Sequence, residues 1–253
     1  MFSHAIVRTP PKNIIEGITT ANLGVPDYEK ALQQHQAYIE ALRACGLTII
    51  TLPADEAFPD CCFVEDTALL TKRCAIVARP GAPTRQGEEA AMLDLLPRYF
   101  ENIESIADPG TIEPGDIMMV GDHFYIGLSE RTNAVGASQM ISLLEKYGFR
   151  GSTIAMNEML HLKTGLSYLE NNTIVACGEF LRHPAFANFD LIAIDEKESY
   201  AANCIWVNGT VIVPAGFPNA VQKIEAAGYP VIQLDVSEFQ KLDGGLSCLS
   251  LRF

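Results

Sequence analysis

Short apolar segments come in pairs along this chain, each pair joined by a tight polar turn. Ile117–Val120 and His123–Ile126 flank Gly121-Asp122. Ile205–Val207 and Thr210–Val213 flank Asn208-Gly209, a strong signal for a two-residue hairpin. Thr67–Leu70 and Cys74–Val77 flank Thr71-Lys72-Arg73, and Tyr168-Leu169 and Thr173–Val175 flank Glu170-Asn171-Asn172. Small or chain-breaking residues follow the second strand of a pair: Arg79-Pro80-Gly81, Cys177-Gly178-Glu179 and Pro214-Ala215-Gly216. The apolar spacing then becomes helical. Residues 27–45 place Tyr28, Ala31, Leu32, His35, Tyr38, Ile39 and Leu42 on one face and stop at Gly46. Residues 133–147 do the same with Ala137, Met140, Ile141 and Leu144, between Thr132 as cap and Gly148. Residues 219–227 run from Pro218 to Gly228. Apolar strands close these units at Leu47–Leu52, Ser152–Met156 and Pro230–Leu234.

The recurring order is strand, strand, helix, strand. Four hairpins are complete, and the fifth is assembled from the termini: Cys248–Phe253 lacks a partner, as does His4–Arg8, which runs into Thr9-Pro10-Pro11. Pairing them closes a ring and removes an exposed sheet edge. The pattern predicts an α/β fold, a five-unit ββαβ propeller with pseudo-fivefold symmetry, closed by its N- and C-terminal strands. No linker or low-complexity stretch interrupts it, so residues 1–253 read as one domain. The competing reading is an irregular α/β sandwich whose units are alike by coincidence.

Composition narrows the functional classes. Of 253 residues, 48% are hydrophobic and 19% charged, the balance of a globular protein. No apolar run approaches the length of a membrane span. A net charge of -13 opposes nucleic-acid binding and mildly favours a cationic ligand. The seven cysteines are odd in number and form no close-set CxxC pair, and no apolar leader precedes the first strand. Reduced thiols in the cytoplasm are the expectation. The five scattered histidines show no ligand spacing, so neither metal nor cofactor is expected. The open faces of such a disc leave room for a homodimer.

Candidate chemistry centres on one thiol. Six cysteines sit in apolar runs and read as core; Cys248 follows Asp243-Gly244-Gly245 and looks presented. In a closed ring, the residues just ahead of each first hairpin strand converge near the axis. They are Glu65 and Asp66, Glu113 and Asp116, His161 and Lys163, Asn203, and Cys248. Taken singly, Glu65-Asp66 reads as an exposed strand start, Glu113 as a turn residue and His161 as a core histidine. Matching positions in successive units favour one pocket containing a thiol, an imidazole and acids. Carboxylates beside a thiol oppose its ionisation unless a cation neutralises them. A guanidinium is planar, pairs bidentately with carboxylates, and fits that requirement.

Five segments carry a resemblance: Phe63–Asp66, Glu113–Ile117, His161–Gly165, Tyr200–Val207 and Asp243–Phe253. Together they closely resemble the dimethylarginine dimethylaminohydrolase family, of the guanidino-group-modifying superfamily with the pentein α/β-propeller fold. The resemblance covers essentially the whole chain. It implies hydrolysis of Nω,Nω-dimethylarginine or the monomethyl form to citrulline and the methylamine, with methylated arginine as the small-molecule partner. It further implies Cys248 as nucleophile, His161 as the acid and then base, and Glu113 as the third catalytic residue. Asp66 would pair with the guanidinium, supported by Glu65. Arg85 and Arg131 would take the α-carboxylate. Asp60 would take the α-amino group, with the backbone carbonyls of Ile18 and Leu242. Residues 16–26 resemble the family's mobile lid.

Three other readings compete with this one. Arginine deiminases share the Cys, His and Glu logic, but carry a helical insertion that this length cannot hold and His-x-Asp where this chain has His161-Leu162-Lys163. An amidinotransferase needs a second amine site. A non-catalytic pentein binding factor has no need of Cys248, His161 and Glu113 together.

Overall fold

Fifteen strands form five separate three-stranded sheets in a computed structural model that describes residues 1–253. The first unit holds β1 (His4–Arg8), helix α1 (Tyr28–Ala44) and β2 (Thr48–Leu52). The second runs β3 (Ala68–Leu70), β4 (Ala75–Val77), α2 (Ala90–Leu95) and β5 (Ile103–Ser105). The third runs β6 (Ile117–Val120), β7 (His123–Leu128), α3 (Ala134–Lys146) and β8 (Arg150–Ala155). The fourth contains β9 (Leu166–Tyr168), β10 (Thr173–Ala176) and β11 (Asp190–Ala193). The fifth runs β12 (Ile205–Val207), β13 (Thr210–Pro214), α4 (Pro218–Ala226) and β14 (Val231–Leu234). The short helix α5 (Ser237–Gln240) and β15 (Leu251–Arg252) complete the chain.

Each sheet is built alike: the first strand is antiparallel to the second, and the second is parallel to the third. The first unit follows the same rule through the termini. β15 pairs antiparallel with β1 at Ala5↔Arg252 and Ile6↔Leu251, and β1 pairs parallel with β2. The ring therefore closes through its ends, as the unpaired terminal segments predicted. Asn208 (φ 50°) and Gly209 (φ 98°) take the left-handed conformations of the two-residue turn their sequence announced.

Three local features depart from the sequence reading. The fourth unit has no α-helix; two 3-10 turns, Gly178–Arg182 and Pro184–Phe186, fill its place. Pro184 cannot extend a helix begun at Gly178, because it lacks an N–H and clashes with the preceding turn. The final strand is only Leu251–Arg252, and Cys248 lies in a 3-10 turn, Ser247–Leu249, rather than at the strand's start. The cap of α3 is Asn133, whose side chain accepts from the Gly136 N–H, rather than Thr132.

Apolar helix faces pack on their sheets in five clusters. Tyr38 and Leu42 of α1 meet Ala5, Val7 and Ile212. Met140 and Leu144 of α3 cover Phe124 and Ile126, and Ile224 of α4 covers Val211 and Val213. In the fourth unit, Phe180 and Phe186 from the 3-10 turns cover Ile174 and Ala176 and so replace the missing helix face. A buried aliphatic or aromatic side chain of this kind contributes ~1.5–3 kcal/mol. This packing holds each first strand, and the turn preceding it, toward the centre.

Candidate active site

Every unit makes a 3-10 turn just before its first strand: Val64–Thr67, Pro114–Asp116, Leu162–Thr164, Glu196–Ala202 and Ser247–Leu249. These turns bring residues distant in sequence to one pocket of about 50 Å³. Cys248, His161, Glu113, Asp66, Arg85, Arg131, Asp60, Ile18 and Leu242 all line it.

Glu65 does not line this pocket directly, but its charge, like that of Asp66, still acts on Cys248. Asp66, its neighbour in the turn Val64–Thr67, lines the pocket. Glu65 pairs with Lys163 and faces a separate cavity of about 150 Å³ that it shares with Ser250 and Arg252.

Glu113 is fully buried. Its Oε1 accepts from the backbone N–H groups of Gly81 (3.0 Å) and Ala82 (3.1 Å). Its Oε2 has no hydrogen-bond partner and lies 3.3 Å from His161 Nε2. Burial, and then the charge of Asp66, push the Glu113 carboxyl above its ordinary range. The other ring nitrogen, His161 Nδ1, is 3.3 Å from Asp116 Oδ1. Burial alone would favour neutral imidazole. The close approach of Asp116, followed by the charges of Asp66 and Glu113, overcomes it and holds His161 up at about 9, although Nδ1 itself has no hydrogen-bond partner. The sequence marks Asp116 as an axial polar residue but carries no signal for this contact.

Asp66 Oδ2 lies 2.7 Å from Arg85 Nη1, and Oδ1 accepts from the Gly115 N–H at 2.9 Å. Burial pushes the Asp66 carboxyl up, but Arg85, His161 and the Gly115 N–H together more than reverse this and leave it below its ordinary value. Arg85 also donates through Nε and Nη2 to Glu88 and through Nη2 to the Phe63 carbonyl. Most of its donors are therefore committed within the protein. Arg131 is less enclosed, its Nη1 3.8 Å from Glu113 Oε1. Asp66, Glu113 and His161 bring ligand atoms within 4.8 Å of one another. Asp66 is held by Arg85 and Gly115, however, so this donor set suits an organic cation with N–H groups better than a metal ion.

The Cys248 loop is tied at three points. Tyr200 Oη donates to the Gly244 carbonyl (2.7 Å), Tyr38 Oη to the Leu246 carbonyl (2.9 Å), and the Ser247 N–H to Asn203 Oδ1 (3.0 Å). Gly244 packs directly on Phe63: a Cβ there would stand 2.2 Å from a ring carbon. Cys248 Sγ accepts from the Gly245 N–H at 3.4 Å. Burial, and then the charges of Glu65 and Asp66, push the thiol up to about 12.

Over the pocket, both Asp60 oxygens accept from the Ile18 N–H, at 3.1 and 3.2 Å. Burial raises the Asp60 carboxyl, with Arg85 and Arg131 opposing. Thr19 Oγ1 donates to the Lys241 carbonyl (2.7 Å) and Thr20 Oγ1 to Asp243 Oδ2 (2.9 Å). The expected lid segment is thus fastened to the loop that carries Cys248.

A closed ring of five hairpin units, with a thiol, an imidazole and buried carboxylates at its axis, defines a cysteine hydrolase of the guanidino-modifying, pentein class. A family model described as "N,N dimethylarginine dimethylhydrolase, eukaryotic" matches residues 25–249. The N(G),N(G)-dimethylarginine dimethylaminohydrolase of Pseudomonas aeruginosa is 56% identical over 254 residues, covering 100% of both chains. That of Streptomyces coelicolor is 31% identical, covering 98% of this chain and 96% of its own. A cysteine-to-serine variant of the P. aeruginosa enzyme complexed with citrulline superposes with a TM-score of 0.99, at 56% identity and over 100% of both chains. The N-terminal domain of ArgZ, a cyanobacterial arginine dihydrolase, shares the fold, with a TM-score of 0.87 at 18% identity, over 100% of this chain and 97% of its own. This chain belongs to the dimethylarginine dimethylaminohydrolase family.

Proposed function

We propose that this protein hydrolyses Nω,Nω-dimethylarginine, and the monomethyl form, to citrulline and the corresponding methylamine, with residues 1–253 acting as one catalytic unit. The observation that carries this reading is Glu113 Oε2, a buried carboxylate oxygen without a hydrogen-bond donor, 3.3 Å from His161 and in the same pocket as Cys248. An unpartnered buried acceptor is costly, and a guanidinium N–H entering the pocket supplies a donor for it, leaving the His161 proton for the departing amine. Asp66 supplies the second anionic contact. The α-carboxylate falls to Arg131, assisted by the remaining N–H of Arg85, and the α-amino group to Asp60 with the Ile18 and Leu242 carbonyls.

The bound cation then alters the thiol. In the empty pocket, burial and acidic neighbours hold Cys248 as thiol. A guanidinium beside it neutralises those acids and favours the thiolate. The thiolate attacks the guanidinium carbon, forming the S–C bond. His161, protonated at neutral pH, gives its proton to the dimethylated nitrogen; the C–N bond breaks and dimethylamine leaves. The thiouronium remains on Cys248. Neutral His161 takes a proton from water as its oxygen attacks the same carbon. Scission of the C–S bond releases citrulline and restores the thiolate. Glu113 holds the guanidinium and His161 in register through both halves.

The test is citrulline formation by purified protein supplied separately with dimethylarginine, monomethylarginine and arginine. Methylated substrates should be turned over faster. Product from arginine alone, or from none of them, would overturn the reading.

A further inference from the structure

We propose that Asp116 is a positioning residue for this reaction: it fixes the ring of His161 and ties it to the loop carrying Arg131. The proposal rests on His161 as the proton-transfer group. Asp116 is fully buried, and both its oxygens are engaged. Oδ1 accepts from the Leu162 N–H (3.0 Å) and lies 3.3 Å from His161 Nδ1, so it grips the start of the turn that follows His161. Oδ2 accepts from Ser129 Oγ (2.7 Å). Ser129 Oγ in turn accepts from the N–H groups of Arg131 (3.0 Å) and Thr132 (3.1 Å). Thr132 Oγ1 accepts from the Glu113 N–H (3.1 Å), which returns the network to the second carboxylate on His161.

One buried carboxylate thereby links three parts of the site: Glu113, His161 and Arg131. The space around it is closed. A Cβ on Gly127 would stand 3.5 Å from Asp116 Oδ1 and 2.2 Å from Met156 Sδ. Asp116 and Glu113 lie 3.3 Å from opposite nitrogens of the imidazole, so the ring sits between two carboxylates at ion-pair distance, with neither contact closed into a hydrogen bond. The remaining charged and titratable groups at this pocket are Asp60, Asp66, Arg85, Arg131, Asp243 and Cys248. Of the acids, only Asp116 lies at Nδ1 and outside the pocket lining, where it does not compete for substrate.

The test uses Asp116→Asn, which keeps shape and one acceptor oxygen, and Ser129→Ala, which keeps the Asp116 charge but removes its donor. His161 is followed by NMR titration in the free full-length protein and assigned against His161→Gln. In Asp116→Asn the His161 midpoint should fall from about 9 by at least ~1 pH unit. The basic limb of the kcat profile should move with it, and kcat should fall ~10-fold or more while KM changes little. Ser129→Ala should lower kcat ~2- to 10-fold with the His161 titration unmoved, because the charge stays while the ring support loosens. An unshifted His161 in Asp116→Asn overturns the proposal, even where turnover falls. If that variant does not fold, unchanged kcat in Ser129→Ala overturns it. The titration needs no substrate, so an error in the substrate assignment leaves this outcome readable.

Discussion

Replacing Asp66 by Asn separates two opposed effects of one carboxylate. In the free protein Cys248 is raised from an ordinary 9.0 to about 12, by burial first and then by the charges of Glu65 and Asp66. At neutral pH about one thiol in 10⁵ is then ionised. A unit charge several ångströms away is worth ~1–3 kcal/mol at an effective dielectric of about 20. Removing Asp66 also frees Arg85, whose Nη1 lies 2.7 Å from it, and this acts in the same direction. The thiolate fraction should rise ~10-fold or more, yet the thiol should not return to 9.0, because burial is the larger cause. Turnover should move the opposite way. Asn still accepts from Gly115 but cannot neutralise a guanidinium, and a hydrogen bond to a charged group contributes ~1.5–3 kcal/mol, so kcat/KM should fall ~10- to 100-fold. The assay pairs the pH dependence of alkylation by neutral iodoacetamide with citrulline formation. Alkylation that is slower or unchanged in Asp66→Asn would refute the electrostatic account of Cys248, and faster turnover would refute Asp66 as a guanidinium contact.

Three further outcomes follow from local geometry. Tyr200→Phe removes the donor to the Gly244 carbonyl, so chemical denaturation should show a loss of ~1–3 kcal/mol, and kcat should fall more than KM rises. Gly115→Ala places a Cβ 3.0 Å from Asp66 Oδ1 and 3.2 Å from His161 Cγ; steady-state assays should show turnover reduced ~10-fold or more, with the unfolding midpoint little changed. Buried His35 on α1 is held down to about 4 against an unfolded value near 6.5, so its contribution is intact above pH 6.5 and is lost as pH falls toward 4, by ~3 kcal/mol. His35→Leu should therefore lower the midpoint of acid unfolding followed by circular dichroism.

The repeat was legible because hairpin turns and strand pairs are local. Asn208-Gly209 and the two unpartnered termini announced a hairpin and a closed ring from short-range chemistry alone. The fourth unit's missing helix was harder to read, since Phe180 and Phe186 supply the covering apolar face from 3-10 turns without helical spacing. The convergence of Cys248, His161, Glu113 and Asp66 was also readable, as matching positions in successive units. The 3-10 turns that accomplish it were not: they are short, and their periodicity is too brief to register. They explain the misplacing of Cys248 in the sequence reading: one such turn holds it ahead of a strand of only two residues. Asp60, Arg85, Arg131, Ile18 and Leu242 had no local signal and entered through resemblance alone. Asp116 shared its position with Glu113, and only its burial and its Ser129 and Leu162 partners distinguish it.

The central claim is that Cys248, alone among seven cysteines, attacks the guanidinium carbon. Acid quenching of the protein during steady-state turnover of dimethylarginine, followed by peptide mass mapping, tests it directly. The account predicts a covalent adduct confined to the peptide containing Cys248, absent in Cys248→Ser. An adduct on any other cysteine, or citrulline formation by Cys248→Ser at the unaltered rate, would contradict it.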